Sequence, residues 1–266
     1  MSTHDFYPPT LTQWAKSVRE DPAPSWIVEG LIPSDNLVLI SGHPKDSKKT
    51  WLGMWLALKA ASGGTKVLYI YREGARKPTL QRFEALIKGL VGDVTVLDDI
   101  YFHHRGNFWL DDTQQVNNAV KFVKRHSVKL VFVDTFAKSV MSDENSSRDV
   151  GRAIHATERL RDAGATVVLI HHLRKQAHSL SNGTVGVPDP DKDLRGSSAL
   201  AGAYETHLAV RSYQGGSPIL LVGGKESEWR AFNYSYNFIQ GQGDVLAKVT
   251  LDLTNCDMPN IGADNE

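Results

Sequence analysis

Ten residues after the first strongly apolar stretch have the types and spacing to hold phosphate groups. They are Gly42, His43, Pro44, Lys45, Asp46, Ser47, Lys48, Lys49, Thr50 and Trp51. A loop of this kind between a strand and a helix turns backbone N–H groups toward phosphates, while a lysine and a hydroxyl reach the β- and γ-phosphates and Mg²⁺. The positive end of the following helix adds to the attraction. We therefore predict a nucleotide site that holds phosphates and Mg²⁺; the alternative is an ordinary turn with surface lysines.

The spacing departs from the usual pattern G-x-x-x-x-G-K-[ST], and two registers are open. Counted from Gly42, Lys48 takes the lysine position, Ser47 replaces the second glycine and Lys49 replaces the hydroxyl residue. Counted back from Thr50, Lys49 is the phosphate lysine, the loop is one residue longer, and Lys48 replaces the glycine. We favour the second register, because Thr50 then offers an oxygen to Mg²⁺. Either register puts a non-glycine residue at a tight position that favours positive φ.

Two carboxylates follow apolar strands and would meet the loop at one edge of a parallel sheet. Asp134 ends the strand predicted over residues 129–134, and Glu73 follows the strand predicted over residues 66–71. A carboxylate in the position of Asp134 holds Mg²⁺, and one in the position of Glu73 can orient or deprotonate an attacking water. Each residue alone could equally be a turn cap or a surface acid. Their convergence on one crevice favours a nucleotide hydrolase.

Two adjacent histidines, His171 and His172, end another buried strand. Neighbouring side chains on a strand point to opposite faces, so at most one of them should face the nucleotide and sense its γ-phosphate. A zinc site is the rival interpretation. It is disfavoured because no second pair of ligands stands at metal-binding spacing and the sole cysteine, Cys256, is near the C-terminus.

The whole chain has the composition of one large α/β domain. It has 266 residues, a formal net charge of +0 and a single cysteine. A neutral chain argues against coating nucleic acid by bulk charge, although it leaves room for a local basic patch. One cysteine and the lack of a membrane-length apolar run or a signal segment predict a soluble, cytoplasmic protein. We expect an N-terminal extension over residues 1–25, the main domain over 26–252 and a flexible tail over 253–266.

Strands and helices alternate, which predicts a mostly parallel central sheet flanked by helices, with antiparallel strands toward the C-terminus. The predicted helices cover residues 10–19, 51–61, 79–88, 113–126, 149–163 and 199–203. The predicted strands cover residues 37–41, 66–71, one or two pieces of 94–102, 129–134, 166–170, 207–211, 218–222, 231–238 and 245–251. Within these elements we expect Trp14 to be a buried anchor and Asp111 or Thr113 to cap its helix.

An ordered series of motifs resembles the RecA-like P-loop ATPases of the RepA type, which include hexameric plasmid replicative helicases and many phage and mobile-element relatives. The resemblance covers residues 26–240. It is carried by the segments 71–76 (YREGAR) with Arg82, 130–137 (LVFVDTFA), 143–145 (DEN), 167–175 (VVLIHHLRK) and 195–200 (RGSSAL). The order of these segments is more specific than any one of them.

The resemblance implies a ring, expected to be a hexamer, with ATP bound between subunits. Glu73 matches the catalytic glutamate, Asp134 the Mg²⁺-associated aspartate, and His172 (or His171) the histidine that couples nucleotide state to the DNA-facing loop. Lys225, with Arg230 as second choice, matches the group that reaches a neighbour's γ-phosphate. The implied function is a helicase-like motor, or a repair or recombination ATPase, that acts on DNA with a replication initiator or primase as partner.

The phosphate loop departs from the family, whose members keep glycine before the lysine. This departure leaves open a nucleotide-binding regulatory or assembly protein with weak or no hydrolysis. A small-molecule kinase is disfavoured, because Glu73 and the RGSS segment suit the RecA-like group better.

Single-stranded DNA is the expected polymer, and the basic residues that flank the long polar loop over residues 176–194 are the candidate contacts. They are Arg174, Lys175, His178, Lys192 and Arg195. The loop lacks aromatic residues that could stack on bases, so a solvated loop is the alternative.

Overall fold

The structure, a computed structural model, describes residues 8–20, 26–44, 47–90, 94–141, 143, 146–173, 194, 198–211, 218–225, 227–241 and 246–258. The helices are α1 (Leu11–Glu20), α2 (Lys49–Ser62), α3 (Arg76–Leu90), α4 (Thr113–His126), α5 (Ser147–Arg161) and α6 (Ser198–Ala203). The strands are β1 (Trp26–Val28), β2 (Ile32–Pro33), β3 (Leu37–Gly42), β4 (Val67–Tyr71), β5 (Ile100–His104), β6 (Leu130–Asp134), β7 (Thr166–His172), β8 (Thr206–Arg211), β9 (Ile219–Gly224), β10 (Ser227–Gln240) and β11 (Leu246–Cys256).

One nine-stranded sheet organises the chain, in the order β11-β10-β9-β8-β3-β7-β6-β4-β5. The strands from β8 to β5 in that order pair in parallel, and β8, β9, β10 and β11 pair antiparallel. Every residue of β3, β4, β6 and β8 is buried, as expected for strands covered by helices on both faces. Strands β1 and β2 form a separate antiparallel pair that does not join the main sheet.

Helices divide between the two faces of the sheet. One core cluster joins α2 and α3 to alternate residues of the strands, including Ile40, Phe132 and Ile170. The other joins α4 and α5 to the intervening residues, including Leu39 and Val133. The long hairpin of β10 and β11 curls over the first face and packs against α3. None of the described helices is both long and apolar enough to cross a membrane.

Several predictions for single elements were wrong: a strand, a helix cap, a buried side chain and the end of a strand. Residues 94–99 form a 3₁₀ segment, because the pairing of β5 begins only at Ile100, opposite the first residue of β4. Asp112 caps α4 by accepting from the backbone N–H groups of residues 114 and 115, whereas Asp111 accepts from the backbone N–H of Met141. Trp14 is 54% exposed, and no described side chain of α1 joins a core cluster. Finally, β11 runs to Cys256, beyond the predicted end of that strand at residue 251.

The close approach of α3 to β11 gives a stability prediction. A Cβ atom on Gly89 would lie 1.8 Å from the backbone oxygen of Val249, so backbone must move to admit it. We expect Gly89→Ala to lower the free energy of unfolding by about 2–3 kcal/mol despite the better helix propensity of alanine. Gly151→Ala is the matched control, because a Cβ there meets nothing within 4 Å and should add about 0.5–1 kcal/mol. Urea denaturation of both variants checks the pair, and equal midpoints would contradict the packing argument.

Candidate nucleotide site

The candidate residues lie at the carboxyl ends of neighbouring parallel strands. Strand β3 ends at Gly42, β6 at Asp134 and β4 at Tyr71, and only β7 lies between β3 and β6. Ligands bind at this edge in open α/β sheets because the loops and helix N-termini there face one crevice. The fold therefore brings the predicted loop and both predicted carboxylates to the same edge.

The loop after β3 presents Lys49 inward and Lys48 outward. Lys48 adopts the left-handed conformation (φ 52°, ψ 24°) and is exposed, whereas Lys49 begins α2 and is buried. The Lys49 ammonium lies 3.4 Å from the backbone oxygen of His43, which also accepts from the Ser47 hydroxyl at 2.7 Å. This geometry corresponds to the register counted back from Thr50. Lys45 and Asp46 lie outside the described residues.

A close approach between Gly42 and Ser47 closes the loop. A Cβ atom on Gly42 would lie 2.5 Å from both side-chain atoms of Ser47, so this first glycine is required by space. The second glycine of the usual pattern has no counterpart, and Lys48 supplies the positive φ in its place. Non-glycine residues reach this region at a cost in free energy.

Asp134 is fully buried beside the start of α2. Its Oδ1 atom accepts from the Thr50 hydroxyl at 3.5 Å, and its Oδ2 atom accepts from the Tyr69 hydroxyl at 3.0 Å. The Tyr69 ring stacks on Phe132, with ring centroids 5.0 Å apart. A hydroxyl and a carboxylate are oxygen ligands of the kind that Mg²⁺ prefers, so Thr50 and Asp134 fit the predicted metal. The sequence motifs did not identify Tyr69, although its place two residues before Tyr71 puts it on the α2 face of β4.

Glu73 follows β4 and is tied to the segment after β6. One of its oxygens lies 3.4 Å from the Lys138 ammonium and accepts from the Thr135 hydroxyl at 3.4 Å. The neighbouring Arg72 donates to the backbone oxygens of Lys138 and Gly106. These contacts fix the chain direction immediately before Glu73, so its carboxylate is held at the same sheet edge as Asp134.

The charges at this edge influence one another. Burial lowers the pKa of Lys49 to about 8, and the negative charges of Asp134 and Glu73 oppose that shift. The pKa of Asp134 is raised to about 7: burial and nearby Glu73 raise it, while hydrogen bonds from Tyr69 and Thr50 and the charge of Lys49 lower it. The interactions place one ammonium and two carboxyl groups within electrostatic reach, which is the charge set that a phosphate and metal site requires.

The two histidines face opposite sides of the sheet. His171 is buried against Phe136, with ring centroids 5.6 Å apart, on the face covered by α5. His172 follows Ile170 by two residues and therefore lies on the face covered by α2, level with Gly42. Of the pair, His172 is on the side of the loop. Across the described ranges, no group of three His, Cys, Asp or Glu side chains is arranged to hold a metal ion.

Other predicted site residues are not brought to this edge. Gly224 pairs with Thr206, which pairs with Val38, so Lys225 lies level with the beginning of β3, at the opposite edge of the sheet. Its ammonium donates to the backbone oxygen of Gly202, and Arg230 donates to that of Gly30. The proposed DNA contacts and part of the DEN segment lie outside the described residues: Glu144, Asn145, Arg174, Lys175, His178, Lys192 and Arg195.

The raised pKa of Asp134 predicts how the stability of the ligand-free protein depends on pH. Between the ordinary pKa of 3.8 and the folded value of about 7, the folded state binds more protons than the unfolded state. Stability should therefore fall as pH rises through this window, by on the order of 2–4 kcal/mol, and then level off. We expect Asp134→Asn to flatten this slope and to raise the melting temperature at pH 7.5. Thermal unfolding in EDTA from pH 4 to 8 checks this, and an unchanged slope would contradict the assignment to Asp134.

Comparisons with known proteins agree with the fold. The sequence model of a family described as an AAA domain matches residues 4–178, more than half of the chain. Among solved structures, one described as an ATPase domain superposes with a TM-score of 0.61 at 12% identity, over 84% of this chain and 93% of that one. A DnaB-like replicative helicase, studied with primase, gives 0.63 at 12% identity, over 92% and 68%. No curated protein sequence matches significantly.

These findings confirm the predicted RecA-like fold class, with its mostly parallel sheet and antiparallel strands toward the C-terminus. The chain belongs to the AAA domain family and has the RecA-like P-loop fold of replicative-helicase ATPase domains.

Proposed function

We propose that this protein is an ATP-hydrolysing motor that acts on single-stranded DNA, with the nucleotide bound between subunits of a ring. The observation that carries the proposal is the convergence of Lys49, Thr50, Asp134 and Glu73 at the carboxyl edge of adjacent strands. Together these groups could hold a triphosphate with its metal: the lysine at the phosphates, and the hydroxyl and carboxylates at the metal and the attacking water.

Each group has a role that follows from its position. Lys49 and the backbone N–H groups at the start of α2 bind the phosphates. Thr50 and Asp134 hold Mg²⁺, which neutralises charge that develops on the phosphates. Glu73, farther from the loop and partly exposed, orients the attacking water and accepts its proton. His172 lies on the loop side of β7 and is suited to pass nucleotide state to the chain that follows.

Lys225 would act on the nucleotide of a neighbouring subunit. It lies at the opposite edge of its own sheet, so it cannot reach the phosphates bound by its own chain. A ring, expected to be a hexamer, would place this edge against a neighbour's site. Arg230 is the second choice for the residue that reaches the neighbour's γ-phosphate. Arg174, Lys175, Lys192 and Arg195 are the proposed contacts to DNA, and an initiator or a primase is the proposed partner, since one structural relative was studied with primase.

A second function is favoured by the loop itself. Lys48 holds a strained conformation where related loops have glycine, and Glu73 is engaged by Lys138. Both features suit a nucleotide-binding regulatory or assembly protein with weak or no hydrolysis.

Turnover with and without single-stranded DNA separates the two functions. The motor predicts ATP hydrolysis that DNA stimulates, and a larger mass in solution when ATP and DNA are present. The regulatory function predicts ATP binding by calorimetry without turnover in either condition. A protein that takes up no adenine nucleotide would contradict both.

A further inference from the structure

The hydroxyl of Tyr234 reaches the phosphate loop from the far end of the chain. Tyr234 lies on β10, in the antiparallel part of the sheet, and is 1% exposed. Its hydroxyl lies 3.2 Å from the backbone oxygen of Ser47 and 3.4 Å from that of Lys48. It also lies 2.7 Å from the hydroxyl of Tyr236. Strand β10 is separated from β3, which leads into the loop, by β9 and β8. Its Tyr234 nevertheless contacts the residues just before the phosphate lysine.

The number of protons fixes the direction of these hydrogen bonds. Backbone oxygens only accept, so Tyr234 must give its one proton to the loop, shared between the two carbonyl groups. Tyr236 must then donate its own proton to the oxygen of Tyr234. Burial raises the pKa of both phenols, so both keep their protons at neutral pH. The result is a chain of hydrogen bonds from Tyr236 through Tyr234 to the loop.

These hydrogen bonds end at Lys48, the loop residue with the unfavourable backbone conformation. Lys48 has φ 52°, a conformation that glycine adopts freely and lysine rarely. The same Lys48 carbonyl accepts from the backbone N–H of Leu52 at 3.1 Å, which is the first hydrogen bond of α2. If Lys48 left this conformation, its carbonyl would turn away, and Lys49 would no longer face the inside of the loop.

We propose that Tyr234 is a positioning residue that holds the left-handed turn at Lys48, and so replaces the conformational role of the missing glycine. The proposal rests on the proposed function, because it concerns the competence of the same loop to bind a nucleotide. A purely structural role would involve only the ring, which packs in the core. Tyr234→Phe keeps the ring and removes the hydroxyl, so it separates the two roles.

A double-mutant cycle with Lys48→Gly tests the proposal. Without the hydroxyl, Lys48 populates other conformations and only a fraction of molecules can bind, which raises the apparent dissociation constant. We expect Tyr234→Phe alone to raise the dissociation constant for ATP about tenfold. In the Lys48→Gly background we expect less than about a twofold change, because glycine holds the turn unaided. Equal effects in the two backgrounds would overturn the proposal.

Hydrogen exchange of the nucleotide-free protein keeps the test independent of binding. Amides of residues 48–52 should exchange faster in Tyr234→Phe and return toward the parental rate when Lys48→Gly is added. Tyr101→Phe is the matched control: it removes a tyrosine hydroxyl bonded to His126 at 3.3 Å on the distant strand β5, and should change neither quantity. Unaltered exchange in Tyr234→Phe refutes the positioning role. Altered exchange in a protein that takes up no ATP refutes the proposed function and leaves the positioning role standing.

Discussion

Replacing Lys49 with alanine should raise the dissociation constant for ATP by at least about 100-fold, because it removes the only buried ammonium at the described part of the loop. Lys49 faces two carboxyl groups, so its loss also leaves their negative charge to repel the phosphates. Calorimetry or a fluorescent nucleotide measures the change. Adenosine, which has no phosphates, should bind too weakly to either protein to be affected.

Lys48→Ala is the matched control, since Lys48 is exposed and lies just before the first residue of α2. We expect a loss of less than about fivefold, mainly through backbone conformation, since alanine also disfavours positive φ. If Lys48→Ala weakened binding more than Lys49→Ala, the phosphate lysine would be Lys48 and the register counted from Gly42 would be correct.

Much of the fold could be predicted because buried parallel strands leave a local signal. The apolar runs that end at Gly42, Asp134 and His172 are each short and continuous, and each is followed by polar residues. Once such strands are placed in one parallel sheet, their ends must share an edge. Glu73, Asp134 and Thr50 therefore converge without any knowledge of distances. The antiparallel strands were also predicted, although β10 and β11 are longer than their apolar residues indicate.

The supporting residues could not be predicted, because their partners are distant in sequence. Tyr69 and Asp134 are 65 residues apart, and Tyr234 and Ser47 are 187 residues apart. A tyrosine in a strand is ordinarily a packing residue, and nothing local shows which hydroxyl meets a loop. The cap of α4 was predicted wrongly for a different reason. Asp111 and Asp112 are equally good N-caps by residue type, and only the hydrogen bonds from the Met141 backbone N–H show that Asp111 is engaged elsewhere.

The register of the loop shows how geometry adds to spacing. The sequence pattern leaves Lys48 and Lys49 open, since each satisfies one half of the motif. The structure separates them by burial and by backbone, because Lys49 lies inside α2 and Lys48 holds the turn before it. Neither burial nor backbone conformation can be obtained by counting residues.

Glu73→Gln should lower the rate of ATP hydrolysis about 1,000-fold and leave ATP affinity within about threefold of the parent, because an amide cannot accept the proton of the attacking water. The amide keeps the shape of the side chain and can still accept from the Thr135 hydroxyl. Single-turnover hydrolysis, with binding measured in parallel, separates the two quantities. A variant that hydrolyses ATP at the parental rate would exclude Glu73 as the group that activates water.

The ion pair with Lys138 requires its own control, because Glu73→Gln also removes that partner. Lys138→Met deletes the pair and keeps the carboxylate, and the Lys138 side chain is 59% exposed, so its loss should cost little stability. Without the ammonium beside it, the Glu73 carboxylate has one partner fewer to compete with the attacking water, and hydrolysis should stay the same or rise up to about threefold. If Lys138→Met abolished turnover as completely as Glu73→Gln, the pair itself would be what the reaction needs. Glu73 would then act by holding the segment after β6 in place, while another group activated the water.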